Sequence, residues 1–512
     1  MHQDYYLKIS RASDLKDLKE RMLYRIFEML PGLFSLGTIF CAVFFSWKFP
    51  TVASFFIIGF SLYWLSRTVY LSFHLRAGYK KMKEHEKIDW LLKLKEFKDW
   101  KKLHHLVVVP AYKEPLEILR QTLLSVAHSD YPKEKMIVVL GMERSSGKAA
   151  EETAQLLEKE FKKSFFRFLI TFHQKNLPGE IPGKGSNESF ALKQARELVI
   201  RKSSIQDENV IVTSLDADTV VSPSYFSCLS HRYLSVKDPL HTSFQPVPLF
   251  LNNIWQAPMF SQIFSFSSTF WHTINQERPE KLITFSSHSM SLKALHDVGF
   301  KQTNVVSDDS RIFWQCFLKY DGKYRVEPLY YPMSMDVNAA PTFFQTMFNM
   351  YKQQRRWAYG VADIPYFLFG FLKNPRIPFS RKMSLGFELI EGHWSWATSS
   401  IILFSLGWLP VALGSGDFSH TLLSYNLPRM TSYMLTIAML GLVWPVIISI
   451  SLLPQKPPSY PLWKRFVFAI EWFLFPIAMI FFTALPALDA QIRLMLGRYM
   501  GFWSTPKFRG KT

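Results

Sequence analysis

The chain has 512 residues, enough for two or three domains, and 48% of them are hydrophobic and 16% aromatic, which is typical of a membrane protein with a soluble insert. Its three scattered cysteines exclude a disulfide framework and a four-ligand zinc site. The formal net charge of +19 is compatible with nucleic acid, an anionic membrane surface or a phosphate-bearing substrate as partner.

The first elements are two apolar runs at residues 30–47 and 51–73. Each approaches the ~20 residues needed to cross a bilayer, so they predict a transmembrane hairpin. The polar segment before them has no cleavage site, which predicts that the first run stays as an anchor. Basic residues flank the hairpin on both sides, and the positive-inside rule therefore places both flanks in the cytoplasm.

A charged segment with large apolar side chains follows at residues 79–102. Its roughly helical spacing predicts either an amphipathic helix on the membrane surface or a solvated linker helix. With the N-terminal segment and the hairpin it forms the first predicted region, residues 1–103.

Short β-branched runs alternate with helical patterns from residue 104 onwards. The runs predict strands at residues 106–109, 136–141, 168–172 and 210–214, and the intervening patterns predict amphipathic helices at 148–163 and 188–202. Because strands that alternate with helices form parallel sheets, we expect an α/β domain over residues 104–350.

Apolar runs return near the C-terminus, at residues 394–413, 430–453 and 466–485. They predict a C-terminal transmembrane region with a basic tail over residues 393–512, preceded by interfacial helices over residues 351–392. Three spans would put the basic tail opposite the α/β domain, against the positive-inside rule. We therefore favour a cytoplasmic tail, with one of the runs not crossing.

Two carboxylates, Asp216 and Asp218, directly follow the predicted strand at residues 210–214. The carboxyl end of a buried strand is the usual ligand site of an α/β sheet. Two aspartates at this spacing can bind a hard divalent cation, which would neutralise charge on a departing diphosphate. Surface turns also carry this pattern, but its position after an apolar strand favours the metal site.

A second acidic pair, Asp308 and Asp309, follows Ser307. Adjacent carboxylates repel each other, so the pKa of one is expected to be raised toward that of a general base. The same residues also suit a helix N-cap, and a cap would fix the geometry that a base requires. Both interpretations stay open.

The third cluster is the sequence QQRRW at residues 353–357, just before the chain returns to the membrane. The guanidinium of Arg356 suits diphosphate oxygens, and Trp357 offers a flat face to a sugar ring. Such a basic and aromatic cluster is also typical of an interfacial anchor.

These clusters, in this order, resemble the D-x-D, T/S-[ED]-D and Q-x-x-R-W motifs of processive family 2 glycosyltransferases, which include cellulose, chitin and hyaluronan synthases. Residues 107–114 look like the first-strand signature of that family, and residues 183–187 resemble its G-K-x-x-A-L-N element. The resemblance covers the whole α/β domain and extends to the flanking spans.

The resemblance implies a GT-A-type α/β domain inserted between N-terminal and C-terminal transmembrane helices, and inversion at the anomeric carbon. It implies Mg²⁺ or Mn²⁺ bound by Asp216 and Asp218, with Asp309 as catalytic base beside Asp308. A UDP- or GDP-sugar donor is expected to contact a set spread along the domain: Ala111, Tyr112, Glu114, Glu143, Lys184, Asp216, Gln353, Arg356 and Trp357. Acceptor contacts in the family correspond to Ser286, Ser287 and His288.

The implied acceptor is a glycan or lipid-linked molecule at the bilayer, in polysaccharide or cell-envelope synthesis at the bacterial inner membrane. Glu143 stands where the family usually has an acidic, Ser-containing run, which leaves the nucleotide open. Because the number of spans is small, the sequence leaves undecided whether the chain forms a polysaccharide channel. Glu388, Glu391 and His393, at the start of the third apolar run, suggest either acceptor binding or headgroup contact.

Three other functions compete with this interpretation. Nucleic-acid binding would require a basic stripe on the soluble unit, whereas many basic residues here flank apolar runs, so we expect no nucleic acid partner. A transporter or channel would explain the spans but not the large α/β unit. A non-processive enzyme that places one sugar on a polyprenyl phosphate or glycolipid is the alternative within the enzyme class.

Overall fold

The computed structural model describes residues 5–455, 470 and 472–509. At the centre of the protein is an eight-stranded sheet with the order β3-β2-β1-β4-β7-β6-β8-β5. Its strands are β1 (His104–Ala111), β2 (Met136–Glu143), β3 (Arg167–His173), β4 (Val210–Ser214), β5 (Val220–Val221), β6 (Thr242–Phe250), β7 (Ser289–Ser291) and β8 (Arg325–Met335).

Strands β1 to β4 form a parallel half, in which β1 pairs with β2 and β4, and β2 pairs with β3. Val107 and Val108 of β1 are fully buried, as are their partners Val138 and Val139 on β2. Continuous burial is expected for parallel strands that helices cover on both faces. The four strands predicted from the sequence are confirmed.

The other half of the sheet has no counterpart in the sequence prediction. β6 carries Pro246 and Pro248, and β8 also contains two prolines. Proline donates no backbone hydrogen bond and normally marks an edge or end of a strand, so these segments do not look like strands. The two strands nevertheless pair in parallel, with an irregular register between Gln245 and Val247. Antiparallel β7 joins this half to β4, which makes the sheet mixed.

Helices pack on the sheet and continue into the apolar segments. They are α1 (Leu18–Lys48), α2 (Pro50–His85), α3 (Trp90–Leu94), α4 (Leu116–Ala127), α5 (Lys148–Phe161), α6 (Lys184–Ala195), α7 (Tyr225–Ser235), α8 (Met259–Gln276), α9 (Leu292–Asp297), α10 (Asp308–Lys319), α11 (Phe343–Ala358), α12 (Asp363–Lys373), α13 (Phe379–Ile401), α14 (Leu409–Leu413), α15 (Leu422–Leu440), α16 (Val443–Leu452), α17 (Phe475–Met479) and α18 (Leu485–Met495). The boundary predicted between residues 350 and 351 lies inside α11.

Four segments of the described residues are long and apolar enough to cross a membrane: Leu18–Lys48, Pro50–His85, Leu422–Leu452 and Trp472–Met495. The first two correspond to the predicted hairpin. The span predicted at residues 394–413 is not among them. There α13 continues as a π-helical turn over Ile402–Leu406, and the short α14 follows after the turn at Gly407 and Trp408. Of the span predicted at residues 466–485, residues 466–469 and 471 lie outside the described residues.

The membrane-surface helix predicted at residues 79–102 is wrong. α2 extends to His85, and α3 follows it as a short separate helix. Trp90 and Leu94 of α3 are buried in the domain core with Tyr233 of α7. These two side chains therefore pack against the sheet domain and are not available to a bilayer.

Candidate active site

The carboxyl ends of β1, β2 and β4 open into a cavity of about 1180 Å³. Every residue predicted to contact donor or metal, or to act as base, lines it: Ala111, Tyr112, Glu114, Glu143, Lys184, Asp216, Asp218, Asp308, Asp309, Gln353, Arg356 and Trp357. Ser286 lines it as well, whereas Ser287 and His288 are buried and do not. Three clusters that are distant in sequence thus meet in one place.

Lys184 connects two of the predicted carboxylates. Its Nζ lies 2.7 Å from Asp216 Oδ1 and 2.7 Å from Asp309 Oδ2. Burial alone would raise the pKa of Asp309, but Lys184 and Lys301 hold that pKa well below its usual value. Lys184 likewise lowers the pKa of Asp216 against the effect of burial. Both carboxylates are therefore ionised at neutral pH.

A second lysine, Lys301, neutralises the buried acidic cluster behind Asp309. Its Nζ contacts Glu188 and lies 3.3 Å from Asp308 Oδ2 and 2.9 Å from Asp309 Oδ1. Burial raises the pKa of Asp308, and it raises that of Glu188 to about 7. The raised pKa that the sequence predicts for one member of the acidic pair thus belongs to Asp308. Glu188, Asp308 and Asp309 lie close enough to hold a cation, but the ammonium of Lys301 already fills that role.

Asp308 and Asp309 also begin a helix, as the alternative interpretation predicted. They form the first turn of α10, where carboxylates interact favourably with the helix dipole, and Ser307 is the N-cap residue. The Ser307 side chain makes no capping hydrogen bond. The fixed position of Asp309 therefore comes from the helix and from the two lysines.

Asp218 has a different environment from Asp216. Its Oδ2 accepts hydrogen bonds from Lys507 Nζ at 2.6 Å and from the backbone N–H of Asp336 at 3.0 Å. Its Oδ1 is buried and has no partner among the described residues. Burial raises the pKa of Asp218 to about 6, although Lys507 opposes the shift.

The QQRRW sequence lies on the last turns of α11. Arg356 forms no ion pair with a described residue, and its guanidinium stacks 4.8 Å from the centroid of the Phe502 ring. Burial lowers the pKa of Arg356, while the nearby carboxylates oppose that shift. Arg355 instead lies 2.8 Å from Asp489, away from the acidic pair. Arg356 is thus the guanidinium that is available to an anion in the cavity.

Trp357 packs in an aromatic cluster, with ring centroids 5.6 Å from Phe285, 6.0 Å from Phe264 and 6.1 Å from Phe250. Gln353 accepts a hydrogen bond from Asn338 at 3.2 Å. Both residues line the cavity. They therefore shape its wall beside Arg356.

Residues 211–484 match the family described as "Glycosyl transferase family group 2". The match covers more than half of the 512 residues and includes both acidic pairs and the QQRRW sequence. The chain belongs to this family. It is a glycosyltransferase, and the predicted fold class, a GT-A-type α/β domain between N-terminal and C-terminal apolar helices, is confirmed.

No curated protein matches the chain. Among solved structures, the glycosyltransferase is similar to the mannosyltransferase PcManGT from Pyrobaculum calidifontis in complex with GDP-Man and Mn²⁺, at 15% identity and a TM-score of 0.43, over 76% of this chain and 99% of that one. It is also similar to S. aureus TarS 1-349 in complex with UDP-GlcNAc, at 13% identity and a TM-score of 0.38, over 67% and 90% of the two chains. Likeness at this level does not extend to donor or acceptor.

Two predicted donor contacts of the glycosyltransferase are engaged by neighbouring protein groups. Glu143 Oε1 lies 3.1 Å from His173 Nδ1, and the hydrogen bond that His173 donates to Glu143 raises the pKa of His173. Glu114 accepts a hydrogen bond from the backbone N–H of Tyr112 at 2.6 Å. These bonds hold the loop after β1 and the end of β2 in place.

The sequence prediction missed the C-terminal tail of the glycosyltransferase as part of the site. Phe502, Trp503 and Lys507 line the cavity, and Arg509 lies 2.6 Å from Asp336 Oδ1. The tail thus lies on the same side of the apolar segments as the sheet domain. This agrees with the candidate spans of the described residues, of which two precede that domain in the chain and two follow it. The available signal in the sequence is the run of basic residues in the tail.

The carboxylates after β4 fit a divalent cation. Asp216 and Asp218 offer hard oxygen ligands, and the buried Asp218 Oδ1 has no other partner among the described residues. An ammonium group lies 2.7 Å from Asp216 and another lies 2.6 Å from Asp218. A divalent cation there would displace the Lys507 ammonium from Asp218, and the unpartnered Oδ1 is the oxygen that distinguishes this pair from the Lys301 cluster. This donor set suits Mg²⁺ or Mn²⁺.

Proposed function

We propose that the protein is an inverting glycosyltransferase that moves a sugar from a UDP- or GDP-sugar to a membrane-associated acceptor, with its catalytic domain in the cytoplasm. One observation carries this proposal: Asp216, Asp218, Asp309 and Arg356 line a single cavity. A site with carboxylates for a cation, a guanidinium for an anion and a further carboxylate for a proton has the groups that sugar transfer requires.

The donor diphosphate is assigned to the side of the cavity that contains Asp216, Asp218 and Arg356. The two carboxylates would hold Mg²⁺ or Mn²⁺, which when bound stabilises the negative charge of the leaving nucleoside diphosphate. Arg356 has no ion-pair partner in the described part of the chain, so its N–H groups can donate to diphosphate oxygens. Lys507 competes with a divalent cation for Asp218, since its Nζ lies 2.6 Å from Oδ2.

Asp309 is proposed as the base. Lys184 and Lys301 keep it ionised and fix its position. Its lowered pKa means that it accepts a proton only when the acceptor hydroxyl becomes acidic, as the new glycosidic bond forms. A single displacement of this kind inverts the anomeric carbon.

Two kinds of product are candidates for this enzyme. The QQRRW sequence resembles that of processive synthases and supports extension of a polysaccharide or cell-envelope glycan. Transfer of a single sugar to a lipid is the second candidate, and the apolar part of the cavity described below favours it.

A screen of UDP- and GDP-sugars with detergent-solubilised full-length protein tests the proposal. We expect one donor to release nucleoside diphosphate with Mn²⁺ or Mg²⁺, and the release to stop when a chelator removes the metal. Asp218→Asn should abolish it, while Asp238→Asn, an exposed aspartate outside the cavity, should not. Absence of release from every sugar nucleotide would contradict the proposal.

A further inference from the structure

The cavity continues from the sheet domain into the space between apolar helices. We call its charged end, formed by Lys184, Asp216, Asp218, Asp309 and Arg356, the floor. The part between α2, α13 with the turn that follows it, and α15 is the upper section. Large apolar side chains line it, among them Leu65, Leu71, Leu403, Phe404, Leu435 and Met439. The two parts meet near Gly360, where an added Cβ would lie 3.9 Å from His393 Cε1 and 4.0 Å from Ser310 Oγ.

Three hydroxyl groups that line the upper section already donate a hydrogen bond to the backbone. Thr68 and Ser72 on α2 each donate at 2.8 Å to the carbonyl four residues earlier, and Ser400 donates to the Met479 carbonyl at 3.2 Å. A glycan in this section would bury many hydroxyls with few partners, and each unpaired hydroxyl is costly. A hydrocarbon chain has no such requirement, so the lining favours a lipid.

Charged side chains line the cavity beside the upper section, and their charges balance. Arg67 Nη1 lies 2.5 Å from Glu391, Lys281 Nζ lies 3.2 Å from Glu388, and Arg278 Nε lies 3.9 Å from Glu280. A phosphate head group would require a cation without a carboxylate partner. Arg67 and Lys281 each have a close one, and Arg278 faces Glu280 at 3.9 Å, which is too far for a hydrogen bond. The balance therefore favours an uncharged head group.

Beside these ion pairs, two N–H donors have no hydrogen-bond partner in the described part of the chain. They are the buried indole N–H of Trp64 and the Nε–H of Arg278, and both side chains line the cavity. The Arg67 guanidinium lies 4.8 Å from the centroid of the Trp64 ring, which holds the indole beside the ion pair. Because buried donors normally find acceptors, these two indicate oxygen atoms of a bound molecule at this level.

We propose that the acceptor is a lipid alcohol without phosphate, whose chain occupies the upper section and whose free hydroxyl reaches the floor. This inference rests on the proposed function and specifies its acceptor. The lipid hydroxyl oxygen bonds to the anomeric carbon as the bond from that carbon to the diphosphate oxygen breaks. The hydroxyl proton passes to Asp309, and the bonding electron pair leaves with the nucleoside diphosphate.

The chemistry of the floor also disfavours a phosphate acceptor. A polyprenyl phosphate is already ionised at neutral pH and needs no base, whereas a hydroxyl does. Its charge would also face Asp216, Asp218 and Asp309, which are separated from one another only by lysines. A base between two lysines is therefore suited to a neutral nucleophile.

Transfer of labelled sugar in phosphatidylcholine nanodiscs tests this proposal, with full-length protein and the donor that the screen identifies. The nanodiscs contain dioleoylglycerol, undecaprenyl phosphate or no added lipid, and label in the organic phase is compared with nucleoside diphosphate in the aqueous phase. We expect organic-phase label with dioleoylglycerol alone. Leu435→Trp, which fills the upper section, should lower this transfer at least about tenfold while leaving the affinity for the nucleotide unchanged.

Leu440→Trp on the same helix is the matched control, since Leu440 is 65% exposed and does not line the cavity. It should transfer sugar like the wild type. Label on undecaprenyl phosphate or on a water-soluble glycan, or equal transfer by Leu435→Trp and wild type, would overturn the lipid-alcohol proposal and leave the glycosyltransferase proposal standing. Absence of nucleoside diphosphate release under every condition would instead contradict the proposed function.

Discussion

The floor and the upper section are parts of one cavity, yet they hold their side chains in place by opposite means. On the floor, each aspartate contacts a lysine at 2.6 to 2.7 Å, so position depends on paired charges. In the upper section, leucine, methionine and phenylalanine side chains pack without directional bonds. Removing the carboxylate of such a pair leaves a buried ammonium unpaired and is severe, whereas volume-conserving apolar changes are tolerated. Activity should therefore be sensitive to single-atom changes on the floor, but in the upper section only to changes in the shape of the side chains.

The largest expected effect is on the floor, from Asp216→Asn and Asp309→Asn. Each replaces one carboxylate oxygen by an NH₂ group, so the side chain keeps its volume and loses its charge. We expect nucleoside diphosphate release to fall at least about 10²-fold for either variant. The upper-section counterpart, Leu435→Met, conserves volume and should stay within a few-fold of wild type. Similar rates for the aspartate variants and Leu435→Met would remove the contrast between the two parts.

The next largest effect is expected at Arg356, the proposed contact of the donor diphosphate. Arg356→Lys keeps the positive charge but loses the planar fork that donates two hydrogen bonds, so the donor KM should rise about tenfold. Steady-state kinetics with varied donor would measure this. Arg355→Lys is the matched control on the same turn of α11, because Arg355 pairs with Asp489. An equal rise in KM for both variants would assign the effect to the helix and not to the floor.

Dependence on pH sharpens the difference between the two metal-site aspartates. The pKa of Asp218 is raised to about 6 by burial, whereas that of Asp216 is lowered by Lys184. Asp218 is ionised above this pKa, so metal-dependent activity should fall as pH drops through about 6. More Mn²⁺ should move this acidic limb to lower pH, since metal and proton compete for one carboxylate. A limb that does not respond to metal concentration would argue against Asp218 as ligand.

The smallest effect is expected from the tail. Lys507→Met removes the ammonium that competes for Asp218, so half-maximal activation should require several-fold less Mn²⁺ at a pH where Asp218 is ionised. Lys148→Met, an exposed lysine on α5, serves as control for the loss of one positive charge. A higher metal requirement in Lys507→Met would show that Lys507 supports the metal site.

Sequence patterns predicted the parts of the molecule that follow simple periodicity. Strands β1 to β4 contain short apolar runs rich in β-branched residues, and Asp216 and Asp218 follow the last of them. Both the parallel half of the sheet and its acidic edge could therefore be predicted. β6 and β8 could not, because their prolines look like strand breakers until tertiary pairing accommodates them.

Two lysines that contact the acidic residues of the site could not be predicted from the sequence. Lys301 and Lys507 belong to no acidic or glycine-rich motif, and only folding brings them to Asp309 and Asp218. Their effect on pKa depends on these contacts, which is why the raised pKa could be expected for the acidic pair but not assigned to Asp308. Spacing identifies carboxylates, but the charges that tune them come from distant segments.

Binding of Mn²⁺ in the presence of nucleoside diphosphates, followed by electron paramagnetic resonance, tests the central claim most directly. Wild-type protein should bind Mn²⁺ with UDP or GDP, the Asp216→Asn, Asp218→Asn double variant should not, and Asp238→Asn should bind like the wild type. Equal binding by the double variant and the wild type would contradict the assignment of the cation and the donor to this end of the cavity.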